Sequence, residues 1–173
     1  MGTRGLFGFH FCGKYYVVYN QFDSYPSGLG RAVISEIQAA IKSGQFSTWL
    51  ERFQSLKIVS LDGPKPTPDD IKKLLKYSNL QVSTQSTDDW YCLLRGCQFS
   101  LEKILESGYL LNAVDKEGRP HWQEYAYVVN FDTNRLDFYD GDELKGSYTF
   151  DALPNWTVSE DSEDIPPQAT ASS

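Results

Sequence analysis

No stretch of this sequence approaches the ~18 consecutive apolar residues that a membrane-spanning helix needs. Clustered positive charge is missing too. Lys and Arg number 16 against 23 Asp and Glu, a net charge of −7. With no basic run to offset that balance, a surface dedicated to nucleic acid is not expected. Cysteine is scarce: Cys12, Cys92 and Cys97 are an odd number. The opening MGTRGLFGFHF carries neither the long apolar core nor the cleavage pattern of a secretory signal. Leu6 stands where an N-myristoylation motif wants Ser or Thr. These absences point to a soluble protein of a reducing compartment, the cytoplasm, with neither a membrane nor a nucleic acid as partner.

Aromatic residues are abundant. They make up 14% of the 173 residues, within a hydrophobic content of 40%, enough to build one proper core. Leu6–Cys12 and Tyr15–Phe22 flank Gly13-Lys14, which suggests a hairpin closed by a type II′ turn. That register would place Arg4 opposite Asp23. One face would carry Phe7, Phe9, Phe11, Tyr16, Val18 and Phe22; the other would be mixed and suited to the floor of a site.

Helical periodicity follows from Arg31 to Ser43, with Val33, Ile34, Ile37 and Ile41 inward and Gly44 as the stop. Ser47 is a candidate cap for a second helix. Thr67-Pro68-Asp69-Asp70 reads as the cap, first-turn proline and acidic first turn of a third. Ser100 to Ser107, closed by Gly108, reads as a fourth. Trp90–Leu94 fits a strand or a helical turn equally. Glu124–Phe131 and Leu136–Tyr139 alternate around a turn, with a further strand over Leu144–Phe150. The fold class expected is α+β: an antiparallel sheet built from an N-terminal and a C-terminal β-hairpin, packed with three to four helices. Residues 1–156 would form a single domain. Residues 157–173, acidic and rich in Pro and Ser, read as a disordered tail.

The segments MGTRGLFGF, GKYYVVYNQFDSYPSGLG and EYAYVVNFDTNRLDFYDG together resemble a family of uncharacterised proteins of fungi and other microbial eukaryotes that open with Met-Gly-Thr-Arg. Phage-encoded proteins with a Gln-Trp-Asp-Gly-Tyr-Pro loop are more distantly similar; the matching residues here are Gln21 to Pro26. The resemblance implies a shared fold and directs attention to the loop after the first hairpin.

That loop, YNQFDSYPSGLG, has two readings. As a turn, Asp23 would accept backbone hydrogen bonds, while Gly28 and Gly30 would supply positive φ. As a site, Arg4, Tyr19, Gln21, Asp23 and Tyr25 would gather complementary hydrogen-bonding groups, with Glu124 approaching from the second hairpin. The partner would be a small molecule or a protein.

An enzyme is the alternative, a small hydrolase or group-transfer catalyst whose layout resembles that of N-terminal-nucleophile hydrolases. Loss of Met1 would expose Gly2, which offers no nucleophile, so no catalytic residue is named. His10, Cys12, Cys92 and Cys97 have loose spacing for a metal, so neither a metal nor a cofactor is expected. His121, in a Gly-Arg-Pro-His loop, is a candidate base without a visible partner.

Overall fold

The computed structural model describes Thr3 to Trp156; the segment expected to be a tail lies outside the described residues. The chain opens with β1 (Gly5–Phe11) and β2 (Lys14–Asn20). A π-helical turn over Pro26–Gly30 leads into α1 (Arg31–Ser43), and α2 (Trp49–Gln54) follows. Next come β3 (Lys57–Val59), α3 (Pro68–Leu74), α4 (Trp90–Leu93), α5 (Leu101–Ser107) and β4 (Tyr109–Leu111). The meander β5 (Tyr125–Asn130), β6 (Arg135–Asp140) and β7 (Glu143–Thr149) closes the described chain. None of these helices is long and apolar enough to cross a membrane.

The class is α+β, as expected, with five α-helices rather than three to four among the described residues. The main sheet has strand order β2-β1-β5-β6-β7, and β3 and β4 form a small parallel pair of their own. The two hairpins do supply the main sheet, but β1 pairs with β5 in parallel. The sheet is therefore mostly, not wholly, antiparallel. The long helical connection between β2 and β5 is what permits this join, since parallel neighbours need a crossover.

The first turn also differs from expectation. Phe11 faces Lys14, so Cys12 and Gly13 are the two turn residues. Both have positive φ, 51° and 75°, which is the demand of a type I′ turn rather than II′. The cause lies far along the chain. The Asp132 carboxylate accepts the backbone N–H of Cys12 at 2.8 Å and of Gly13 at 2.9 Å, bracing the turn from outside. Slipping the register by two residues leaves each side chain on its expected face.

Those faces make two cores. Phe7, Phe9, Tyr127, Val129 and Phe138 pack beneath Val33, Ile34, Ile37 and Ala40 of α1 and Trp49 and Phe53 of α2. Each such side chain contributes ~1.5–3 kcal/mol on burial. Ile41, expected inward, is exposed, and Ala40 takes the inner position. The mixed face of the hairpin is not an open floor. Leu6, Val17, Ala126, Val128 and Tyr139 form a second core there, roofed by Ala113, Val114 and Trp122. What stays open on that side is the far end of β2, at Tyr19 and Gln21.

The helix signals hold well. Thr67 and Asp70 form a reciprocal capping box behind Pro68, satisfying two otherwise orphaned N–H groups. Ser100 caps α5, and both α1 and α5 end at a left-handed glycine. Trp90–Leu93, which the sequence left between strand and helix, is a helical turn capped by Asp89. Ser47 caps nothing: a 3-10 turn over Phe46–Thr48 runs straight into α2.

Candidate functional site

Strand β2 is an edge of the sheet, and its outward backbone groups define the site. Val17 donates its N–H to Asn112 Oδ1 at 2.9 Å and accepts the Ala113 N–H at 2.8 Å. Gln21 donates its N–H to Gln98 Oε1 at 2.8 Å. In an antiparallel pair alternate residues point their N–H and C=O away from the partner strand, so Tyr19, midway between these two, must do the same. No hydrogen bond to the Tyr19 N–H or C=O occurs on that edge among the described residues. The edge is thus occupied at positions 17 and 21 and open for one residue between them.

A cavity of about 960 Å³ lies against that gap, within the size range of small-ligand pockets. Tyr19 and Gln21 form one wall, Tyr91, Arg95 and Gln98 another, and Asn112 and Ala113 close one end of the edge. The Tyr19 hydroxyl donates to Gln21 Oε1 at 2.7 Å, and its ring lies 6.4 Å from that of Tyr91. Burial pushes the Tyr19 phenol above its usual value, against the pull of the nearby Arg4 and Arg95 charges.

Arg95 is the most unusual group in this wall. Its Nε is buried and has no hydrogen-bond partner among the described residues, a costly state for a donor on a charged group. Its guanidinium lies 5.4 Å from the centroid of the Phe22 ring, which in turn stacks on Phe99 at 5.0 Å. That cation–π contact fixes the charge in place without satisfying its donors.

The outer wall is held just as firmly. The Asp89 carboxylate accepts from Ser83 Oγ at 2.9 Å, Thr84 Oγ1 at 2.8 Å and the Tyr91 N–H at 2.9 Å. Burial works to raise its pKa, yet these bonds outweigh it and leave the group below the ordinary carboxylate value. Loop residues 83–89 are therefore tied to the start of α4, and Asp89 has little accepting capacity left for a ligand.

Of the six residues expected at the site, only Tyr19 and Gln21 line the cavity. Arg4 does not line the cavity, but its charge lies close enough to the Tyr19 phenol to act on it, and its backbone is tied to Glu124: the Arg4 N–H donates to Glu124 Oε1 at 2.9 Å, and the Glu124 N–H to the Arg4 carbonyl at 3.2 Å. Asp23 is exposed, and among the described residues its carboxylate accepts only the Tyr25 hydroxyl, at 3.2 Å. No ion pair joins Arg4 to Asp23 among the described residues. The two-residue slip in the hairpin removed the register on which that pair depended.

The loop after β2 behaves as a turn. Buried Ser24 donates its N–H to the Thr3 carbonyl at 3.0 Å, and its own carbonyl accepts the Tyr127 hydroxyl at 2.7 Å. Gly28 and Gly30 have no positive φ. They are there for space: a Cβ on Gly28 would stand 2.3 Å from the Asp23 carbonyl, and one on Gly30 2.7 Å from the Trp156 ring.

Tyr91, Arg95, Gln98 and Asn112 were not singled out from the sequence. Tyr91 lies in α4 and Arg95 in the 3-10 turn that follows it, so no single helical face aligns them in the sequence. Gln98 and Asn112 carry no local signal, because their roles come from bonds to a strand far away in the chain.

His121 lines the opposite rim, and its backbone N–H donates to the Ala113 carbonyl at 2.9 Å. No hydrogen bond links its ring to a serine, threonine or cysteine among the described residues. Burial pushes the Cys97 thiol up to about 12, far from thiolate chemistry. No group of three or more His, Cys, Asp or Glu is arranged to hold a metal among the described residues.

A second cavity, about 590 Å³, opens beside Lys57, Asp70 and Trp90. Its buried carboxylate, Asp70, is fully engaged. The buried Asp70 carboxylate accepts the Tyr109 hydroxyl and the Thr67 N–H and pairs with Lys57 Nζ at 3.2 Å. Comparison of the chain with family models, curated proteins and solved structures gives no match.

Proposed function

We propose that this protein is a binding module for a small ligand, held in the larger cavity at the open end of β2. The observation that carries this reading is Arg95: a cation held over the Phe22 ring in the wall of a ligand-sized cavity, with no ion pair or hydrogen bond to its guanidinium among the described residues. Unmet donors on a charged group are expensive in a folded protein unless something meets them. The polar side chains of Tyr19, Gln21 and Gln98 around it favour recognition by hydrogen bonds.

Of the YNQFDSYPSGLG segment and adjoining sheet face expected from sequence, this reading keeps Tyr19 and Gln21 at the start of the segment and adds Tyr91, Arg95 and Gln98 across from them. A hydrolase or group-transfer enzyme would need an activated nucleophile. Among the described residues the His121 ring has no such partner, and Cys97 is held as a thiol. The three free cysteines support a reducing, cytoplasmic setting.

The test is a screen of a small-molecule library by ¹⁵N–¹H chemical shifts. Ligands should shift the amides of Tyr19, Tyr91 and Gln98 together. A library that yields no such ligand, or only ligands that shift residues elsewhere, overturns the reading.

A further inference from the structure

The single open position on β2 carries more information than the volume of the cavity. Tyr19 presents one backbone N–H and one C=O, spaced as in any strand. On either side the edge is closed, by Asn112 and Ala113 at Val17 and by Gln98 at Gln21. A long peptide strand adding to this edge would have to displace those bonds, so ordinary strand addition is blocked. Only a unit about as long as one residue, with an amide on each side of it, can pair here.

Direction follows from the charges. Arg95 sits at the Gln21 end of the gap: its guanidinium lies over Phe22, and Gln98, three residues on, reaches Gln21. At the Val17 end Asn112 and Ala113 stand against the edge, with His121 beyond them, and no Lys or Arg side chain bonds to β2 there among the described residues. A strand running parallel to β2 would offer a carbonyl to the Tyr19 N–H and its next-but-one N–H to the Tyr19 C=O. It would then arrive beside Arg95 with whatever group comes after. A carboxylate there would meet the terminal N–H groups of the Arg95 guanidinium, which no hydrogen bond or ion pair engages among the described residues, in a charge-assisted bond.

Resting on the binding-module reading, we propose that the cavity takes a small N-acyl dipeptide with a free terminal carboxylate. Its acyl carbonyl and second amide N–H pair with Tyr19, and its carboxylate is held by Arg95. Gln98 has its Oε1 occupied by Gln21, and no hydrogen bond engages its amide nitrogen among the described residues, which leaves that group to donate to the ligand. The Tyr91 ring, near that of Tyr19, offers an aromatic surface to the ligand's side chains.

The probe is N-acetyl-alanyl-phenylalanine, titrated calorimetrically at up to millimolar concentration and followed by ¹⁵N–¹H shifts. The free acid should bind and move the Tyr19 amide resonance downfield. Its C-terminal primary amide should bind about tenfold more weakly or worse, the worth of one charge-assisted bond. A form methylated on the second amide nitrogen should lose a similar factor, because the Tyr19 carbonyl then has no donor. R95Q should erase the preference for acid over amide, while R95K should restore part of it. Equal binding of acid and amide, full binding of the methylated form, or no binding of the acid would each overturn the proposal. If library ligands occupy the cavity while this probe fails, only the ligand class is wrong. If nothing enters the cavity, the binding-module reading falls with it.

Discussion

Gln98 Oε1 accepts the backbone N–H of Gln21 at 2.8 Å, so a side chain takes the place a neighbouring strand would fill. Val17 is served in the same way by Asn112, at 2.9 Å. Tyr19, between them, has no such acceptor among the described residues. Native-state amide exchange should therefore alternate along β2, with slow exchange at Val17 and Gln21 and fast exchange at Tyr19. Gln98→Leu should speed Gln21 alone and cost about 1 kcal/mol. Slow exchange at Tyr19 in the wild type would mean that the edge is closed there.

The loop after β2 allows a sharper separation of charge from shape. Asp23 has φ 47° and an exposed carboxylate bound, among the described residues, only by Tyr25. Asn tolerates that backbone region as well as Asp does, so Asp23→Asn should change stability by less than ~0.5 kcal/mol. Gly28→Ala would press a methyl group onto the Asp23 carbonyl and should cost about 1–3 kcal/mol. Denaturant midpoints of the two variants check this. An unstable Asp23→Asn beside a stable Gly28→Ala would reverse the account.

These residues show where sequence reading succeeds and where it stops. Caps and stops were legible because they act within four residues: Thr67 with Asp70, Ser100 with Lys103, Gly44 after α1. The faces of the first hairpin were legible because alternation survives a two-residue slip. The turn itself was not, since Asp132 selects it from about 120 residues away. The parallel join of β1 to β5 likewise depends on a long connection that leaves no local trace. For the site the same rule holds: Tyr19 and Gln21 stood out as polar residues on a strand end, whereas Arg95, Gln98 and Asn112 gain their roles only from what they touch. Asp23 was favoured because charge is conspicuous in a sequence, and the structure leaves it at the surface.

Asp70 should dominate the acid limb of stability. Burial acts to raise its pKa, but bonds from Tyr109, Thr67 and Lys57 win and hold it well below the ordinary carboxylate range. A carboxyl whose folded value is depressed stabilises the fold fully above its unfolded value, ~3.9, and progressively less as pH falls through the folded one. Asp70→Asn should cost about 1–3 kcal/mol at neutral pH. The gap between variant and wild type should narrow below about pH 4. Urea unfolding at several pH values measures it, and a gap that stays constant into acid would show that the charge of Asp70 contributes nothing.

Trp156, the last described residue, is 4% exposed and sits in a box of rings. Phe138 lies 5.1 Å from it, Tyr127 5.6 Å and Tyr148 6.0 Å, centroid to centroid. The sequence gives Gly30 no side chain where that indole passes; an added Cβ would come within 2.7 Å of the ring. Trp156→Ala should therefore cost ~3–5 kcal/mol, the loss for a large aromatic in a core. Trp156→Phe should be much milder, because the indole N–H has no partner to lose among the described residues. Gly30→Ala alone should destabilise by about 1–3 kcal/mol through overpacking. In the Trp156→Ala background the same methyl group enters vacated space, so the double variant should be more stable than the sum of the two single losses predicts. A double-mutant cycle reads that coupling directly. Strict additivity would mean that Trp156 does not lie over Gly30 in solution, and that the core closes without it.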